Sequence, residues 1–263
     1  MLYEDQAAGF DERTGLPPGA DEAVAQALVG QVGLEPGDAW LEIGAGTGAL
    51  SLPFLRLPVR YTGFDRSPAM LSVFREKMEL EGLRGELLVA DGNERWPVED
   101  GSIAVIFCAR ALHHLDDDHV VAEIRRVLRP SGGWLVLGRV RRPNDSVKSN
   151  LRRQMRRLLE SRGYAGRSHD ARSEGVFSRL EALGAERSPS IVAARWVRPH
   201  RPADSIASWE GKEGLAGIDL PADVKAEVLA DLRRWAEKEY GDPTLPLAQE
   251  EIFELAPINV RIG

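Results

Sequence analysis

Apolar and polar positions follow one another in short blocks through the first half of the chain. Between Ala20 and Val32 the apolar residues Val24, Ala27, Leu28 and Val32 recur three or four apart, and Pro17-Pro18-Gly19 ahead of them reads as a turn, which predicts a helix. Glu35-Pro36-Gly37-Asp38 ends it, and Ala39-Trp40-Leu41-Glu42-Ile43 forms an apolar run closed by Gly44, Gly46 and Gly48, a buried strand entering a tight turn. The alternation continues with a helix over Leu50 to Leu55 and a strand from Val59 to Phe64 ending at Asp65. A helix from Pro68 through Met78 follows, with Ser67 as its cap. Strands are predicted from Glu86 to Ala90, Ile103 to Ala109 and Trp134 to Val140, with a helix between Asp118 and Leu128. Strands that are apolar on both faces and alternate with helices predict a parallel sheet covered on both sides, hence an α/β fold.

Beyond Val140 the rhythm changes. Helices are predicted over Val147 to Leu159 and Val176 to Leu183, a sixth strand over Ser190 to Val197, helical pieces across 203–240, and a last strand from Glu251 to Ile262. No repeat or linker interrupts the chain. The pattern therefore reads as a single domain over 1–263 with an α/β core at 36–140, a helical insertion at about 202–240 in the 141–263 half, and an N-terminal helical segment at 1–35.

Composition narrows the class without naming the chemistry. With 43% hydrophobic and 29% charged residues the chain is expected to fold throughout. No apolar stretch approaches the roughly 18 residues of a membrane helix. The N-terminus lacks a basic segment followed by an apolar one, and Cys108 is the single cysteine, so the reading is a cytoplasmic protein without disulfides or a Cys-cluster zinc site. No metal site is expected: Asp116-Asp117-Asp118-His119 reads as a helix start whose acids favour its positive end. Net charge is −7, unevenly spread. Residues 139–201 hold fifteen arginines and Lys148 against six acids, a local +10 that leaves −17 elsewhere.

The segment Leu41-Glu42-Ile43-Gly44-Ala45-Gly46-Thr47-Gly48 carries the chemistry. Glycines there permit a sharp turn and close approach of a ligand to the backbone, and a helix start favours an anionic group. Asp65, at the end of the second strand, can accept from both hydroxyls of a ribose. These features alone suit a dinucleotide as well as any other nucleoside-bearing ligand.

The chain resembles the class I S-adenosylmethionine-dependent methyltransferases, and within them the type 11 small-molecule group. The resemblance rests on that glycine segment, on Gly63-Phe64-Asp65-Arg66-Ser67, Ala90-Asp91-Gly92 and Ala111-Leu112-His113-His114-Leu115, and on Val127-Leu128-Arg129-Pro130-Ser131-Gly132-Gly133. It implies a Rossmann-like, doubly wound, seven-stranded sheet with an antiparallel last strand, and S-adenosylmethionine as cofactor. On this resemblance Gly44, Ala45, Gly46, Gly48 and Glu42 surround the methionyl end, Glu42 near the ammonium. Asp65 with Arg66 beside it holds the ribose, Met70 packs on the adenine, Asp91 and Gly92 meet the adenine edge, and Ala109 and Arg110 flank the methionyl part through the main chain. His113 and His114 are the candidate general bases. Tyr3, with Phe10 and Asp11, resembles the family's lid, and Trp196 and Trp209 are candidate acceptor contacts.

The expected reaction is direct methyl displacement onto a small-molecule acceptor. Alternatives are an RNA methyltransferase, motivated by Arg152, Arg153, Arg156 and Arg157, and a non-catalytic S-adenosylmethionine-binding module. An NAD-dependent reductase is the remotest, since the chain has no Tyr-x-x-x-Lys pair. No aromatic residues interleave with those arginines, and the protein is acidic, so nucleic acid and membranes are not the expected partners. The acceptor and the oligomeric state are left open.

Overall fold

The computed structural model describes Asp11, residues 16–164 and residues 170–261, with the side chains of 170–173 left out of the description. Tyr3 and Phe10 lie outside the described residues. In chain order the elements are α1 (Ala20–Val32), β1 (Ala39–Ile43), α2 (Leu52–Leu55), β2 (Arg60–Asp65), α3 (Pro68–Glu81), β3 (Glu86–Val89) and β4 (Val105–Ala109). A 3-10 turn (Leu112–His114), α4 (Asp117–Val127), β5 (Gly133–Arg141), α5 (Val147–Glu160), α6 (Asp170–Ala182), β6 (Glu186–Arg187) and β7 (Ile191–His200) follow. The chain ends with α7 (Pro202–Glu210), β8 (Gly214–Leu215), β9 (Ile218–Asp219), α8 (Ala222–Tyr240) and β10 (Leu247–Val260).

Two compact units share these elements. The first takes the described residues of 1–139, 170–194 and 253–263, and the second those of 140–169 and 195–252. In the sheet the strand order is β3-β2-β1-β4-β5-β10-β6, and β7 pairs with β10. β1, β2, β3, β4 and β5 pair in parallel, as β1 register Leu41 to Thr62 and Ile106 shows, whereas β10 runs antiparallel to β6. This is the doubly wound arrangement with an antiparallel last strand expected from the sequence. The short β6 and the β8–β9 hairpin were not legible there, because two-residue strands carry no period.

Burial on both faces of the sheet explains the near-continuous apolar strands. Trp40 on β1 stacks on Phe54 of α2 at 4.5 Å between ring centroids, with Phe107 of β4 edge-on to Phe54 at 5.3 Å. On the other face Leu41, Ile43, Ile106 and Cys108 join Val120, Ile124 and Val127 of α4 and Val176, Phe177 and Leu180 of α6. Helix starts follow the local chemistry: Ser67 accepts from the Met70 N–H with Pro68 in the first turn, and Asp116 accepts from the His119 N–H at 2.9 Å. In the second unit, Leu151, Met155 and Leu159 of α5 pack with Ile206 and Trp209 of α7 and Val228, Leu229 and Leu232 of α8. Among the described residues no helix is long and apolar enough to cross a membrane, and no three His, Cys, Asp or Glu residues cluster as a metal site.

Candidate active site

Strand order turns back at β1, whose neighbours β2 and β4 lead away in opposite directions, and ligands of open α/β sheets bind beyond the carboxyl ends of strands at such a point. A pocket of the first unit opens there, with about 1040 Å³ of empty space when the open solvent at its mouth is counted. Its walls come from the segments that leave β1, β2, β3 and β4. Of the predicted cofactor residues, Glu42, Gly44, Ala45, Gly46, Asp65, Arg66, Met70, Asp91, Gly92, Ala109 and Arg110 all line it.

Gly48 does not line the pocket. A Cβ on it would lie 2.3 Å from the Phe74 ring, so its function is to seat the glycine turn on α3. The helix expected after the turn also begins later, at Leu52, and spans four residues. Its start therefore makes no anion cradle, and the amides of Gly44, Ala45 and Gly46 are already engaged. Gly44 and Ala45 N–H donate to Phe64 O, and Gly46 N–H donates to Asp65 Oδ2 at 3.0 Å.

Asp65 consequently has two tasks. Its Oδ1 accepts from Ser67 N–H at 2.9 Å while Oδ2 holds Gly46, so the carboxylate ties the glycine turn to the start of α3. A carboxylate offers about four lone-pair sites, which leaves two for a diol. Asp91 is exposed, with Oδ1 accepting from Asn93 N–H. Asn93 in turn accepts from Asp116 N–H at 2.8 Å and donates to His114 O, joining the loops after β3 and β4. Gly92 has no room for a side chain, since a Cβ would meet Leu115 at 2.7 Å.

Glu42 is buried on β1, and Tyr61 donates to its Oε2 at 2.6 Å. Loss of water pushes its carboxyl up to about 7 from 4.5, against the opposing pull of the Tyr61 and Ser51 hydroxyls. Burial, and then Glu42 itself, push Tyr61 upward. Ser51 is near enough to favour both charged forms, yet its buried Oγ has no hydrogen bond of good geometry among the described residues. It remains available to a polar ligand in the pocket it lines. The folded protein holds the Glu42 proton more tightly than the unfolded chain does, so this contribution to stability is lost as pH rises from 4.5 to about 7. Relative to a Glu42→Gln variant, the unfolding free energy of the ligand-free protein is expected to fall by about 3 kcal/mol across that window. Denaturant titrations at a series of pH values check this, and parallel curves for the two proteins would show that burial leaves the Glu42 carboxyl titrating as it does in the unfolded chain.

Arg110 sits at the pocket rim in the left-handed region, φ 65°, a conformation that costs a non-glycine residue about 1–3 kcal/mol. It turns the chain from β4 into the 3-10 turn that carries the histidines. His114 lines the pocket and is exposed, while His113 does not line it; the two rings lie 3.8 Å apart. Asp11 accepts from Thr47 Oγ1 at 2.5 Å and pairs with Lys77, whose ammonium also donates to Thr47 O at 2.8 Å, so Asp11 is tied to the glycine loop. Thr47, Ser51, Tyr61 and Asn93 were missed from the sequence because each acts through a contact distant in the chain. In the second unit, Trp209 is buried in the helical core where an acceptor contact was expected, and Trp196 donates from Nε1 to Glu251 at 3.2 Å. Arg152, Arg153, Arg156 and Arg157 are all exposed on α5.

A parallel sheet with a switch-point pocket, a glycine turn and an acid at the end of β2 defines a protein that binds a nucleoside-bearing ligand. Comparison with known proteins carries this further. A family model described as a methyltransferase domain matches residues 41–132. The ubiquinone/menaquinone biosynthesis C-methyltransferase UbiE of a Marinomonas species is 30% identical over 171 residues, covering 62% of this chain and 67% of that protein. UbiE of Teredinibacter turnerae is 34% identical over 110 residues, 40% of this chain and 44% of its own length. The chain thus spans less than half of the latter relative. Among solved structures, the YcgJ protein from Bacillus subtilis has a TM-score of 0.56 at 19% identity, covering 90% of this chain and 97% of that one. A putative methyltransferase from Bacillus halodurans has a TM-score of 0.57 at 19% identity, covering 90% and 98%; these two likenesses show the fold. The chain belongs to the class I S-adenosylmethionine-dependent methyltransferases, the family whose cofactor is S-adenosylmethionine. The pocket fits that cofactor: Asp65 has lone pairs left for the ribose diol, Glu42 is an acid beside a free hydroxyl, and Gly46 keeps the wall open, a Cβ there meeting nothing nearer than 3.9 Å.

Proposed function

We propose that the chain transfers the methyl group of S-adenosylmethionine to a small-molecule acceptor. The observation that carries this reading is Asp65, whose carboxylate organises the glycine turn and faces the pocket with capacity for a diol. Bound S-adenosylmethionine supplies a methyl group already activated by its positively charged sulfur, so the protein's task is chiefly alignment, worth on the order of 7 to 11 kcal/mol. Glu42, ionised by a neighbouring ammonium, holds the methionyl end together with Ser51, and Asp65 holds the ribose. Met70, buried at the pocket wall, packs on the adenine, and Asp91 meets its amino edge. His114 is the group to take a proton from an acceptor that arrives protonated; His113, whose ring lies tilted against it at 3.8 Å, positions it. We take 1–263 as one methyltransferase domain, with 36–140 as the cofactor core. The acceptor class is supported by the names of the UbiE relatives, which act in quinone biosynthesis as C-methyltransferases.

Calorimetry is expected to show S-adenosylhomocysteine bound and NAD not bound, and transfer of labelled methyl from S-adenosylmethionine to compounds of a small-molecule extract. NAD binding tighter than S-adenosylhomocysteine would reject the cofactor assignment. Tight S-adenosylhomocysteine binding with methyl transfer to RNA alone would reject the acceptor class.

A further inference from the structure

Within the second unit, several cations gather around the acidic part of β10: Arg198 and His200 from β7, Arg142 just after β5, and Lys148 at the start of α5. Trp196, Arg198 and His200 share one face of β7 by the two-residue period, and Gln249 and Glu251 share one face of β10. Glu251 is 1% exposed and forms the centre of the group. Its Oε1 accepts from Arg142 Nε at 2.6 Å and Gln249 Nε2 at 2.9 Å, and its Oε2 faces Arg198 Nε at 3.2 Å and Trp196 Nε1 at 3.2 Å. One carboxylate is therefore saturated by two guanidinium groups, an amide and an indole. Both arginines meet it through Nε, which leaves their terminal amino groups without a partner among the described residues. Lys148, at the start of α5, is partly buried beside them. Its backbone N–H donates to Gln249 Oε1 at 3.2 Å, yet its ammonium makes no hydrogen bond or ion pair among the described residues.

Three formal positive charges thus surround a single acid that is already satisfied. Burial, then repulsion from Arg142, Arg152 and Arg198, draws the Lys148 ammonium down to about 8, with only Glu251 opposing. Burial, then Lys148 and Arg198, likewise lowers His200, whose Nε2 lies 2.9 Å from Ser205 Oγ; Asp204 pulls the other way and Arg142 adds to the lowering. Half-buried like charges held together without compensation mark a place prepared for an opposite charge. Arginine and lysine donors converging at one spot suit a compact oxyanion.

We infer that Arg142, Lys148 and Arg198, with His200 at the edge, form a binding site in the second unit for the carboxylate or phosphate group of a small organic anion. Glu251 is its template: it fixes both guanidinium planes by Nε and leaves their outer edges to the ligand. This inference rests on the second unit alone and does not require the methyl-transfer reading.

Titration of the intact protein with inorganic sulfate and, separately, with propionate tests it, because neither probe changes charge between pH 6 and 9. Binding is read by calorimetry and by the Trp196 indole N–H resonance, identified through Trp196→Phe. Both probes, or one, are expected to bind and to shift that resonance; tighter sulfate assigns a phosphate-bearing ligand and tighter propionate a carboxylate. Lys148→Met should weaken binding at least about tenfold near pH 7, and Lys148→Arg should preserve it within about threefold. In the wild type affinity should decline as pH passes 8, whereas Lys148→Arg should stay flat. Lys148→Met should bind S-adenosylhomocysteine like the wild type, which separates failure of this inference from failure of the methyl-transfer reading. Absence of binding by both probes, or equal affinities for wild type and Lys148→Met, would overturn the site.

Discussion

Asp65→Ala is expected to weaken S-adenosylhomocysteine binding by at least about a hundredfold, roughly 2.7 kcal/mol. Two contributions add. Hydrogen bonds to a charged group contribute about 1.5–3 kcal/mol each, and a ribose diol would lose two of them. The same carboxylate also accepts from Gly46 N–H and Ser67 N–H, so its removal frees the glycine turn and leaves two amides to seek water. Asp91→Ala should cost less, because Asp91 is exposed and holds only the amide of Asn93 among the bonds that shape the pocket. Calorimetry on the three proteins checks the order. Equal affinities for wild type and Asp65→Ala would remove Asp65 from the site, and a larger loss from Asp91→Ala would mean that the adenine edge, not the ribose, dominates recognition.

The contrast between these two acids shows which parts of the site could be read from residues alone. Asp65 ends β2 and Asp91 lies two residues past the end of β3, both follow apolar runs, and both line the pocket as their positions predict. What distinguishes them, the double use of Asp65 as a brace for the turn, depends on the approach of Gly46 from nineteen residues earlier. Spacing does not encode that approach. The cradle of amides expected around an anion likewise dissolves once β1 and β2 pair, because Phe64 O takes the amides of Gly44 and Ala45. A helix start suggested by the sequence is in fact one turn of four residues whose apolar side chains, Phe54 above all, are drawn onto Trp40.

Strands and helices of the core were legible because burial on both faces writes an apolar run and burial on one face writes a 3.6-residue period. α1 and β1 lie where the pattern puts them, and β4 is shorter than its apolar run by two residues, since Ile103 makes only an isolated bridge to Leu128. The second unit was harder to read. Its parts of β7 and β10 alternate in burial, and their faces carry charge instead of apolar side chains: Arg198 and Glu251, joined by Arg142 from just after β5, on one side, and Arg195 with Glu250 on the other. Charge counted along the chain showed a +10 segment and nothing more. Only the pairing of β7 with β10 reveals that a saturated acid stands among several cations. Trp209 shows the converse case, since an aromatic residue in a polar helix can be either a contact surface or a core anchor, and here α5 and α8 cover it.

Gly44→Ala is expected to destabilise the protein by about 2 kcal/mol or more and to impair cofactor binding together with stability. The residue has φ 71°, where a side chain costs about 1–3 kcal/mol, and a Cβ would stand 2.3 Å from the Cβ of Ala111. Neither methyl can rotate away, because both are fixed directly to backbone, one after β1 and the other after β4. Relief must therefore move the wall of the pocket itself, since both residues line it. Ala111→Gly removes the opposing methyl, so the double variant should regain the part of the loss due to collision and retain the part due to φ. A double-mutant cycle on denaturant midpoints separates the two. Gly46→Ala supplies the comparison: its φ of 55° is equally unsuited to a side chain, but its Cβ would meet only Gly44 O at 3.9 Å. It should show the conformational cost without the clash and gain nothing from Ala111→Gly. If Gly44→Ala were as stable as the wild type, or if Ala111→Gly failed to rescue it, the close approach of the β1 and β4 loops would not be what shapes this pocket.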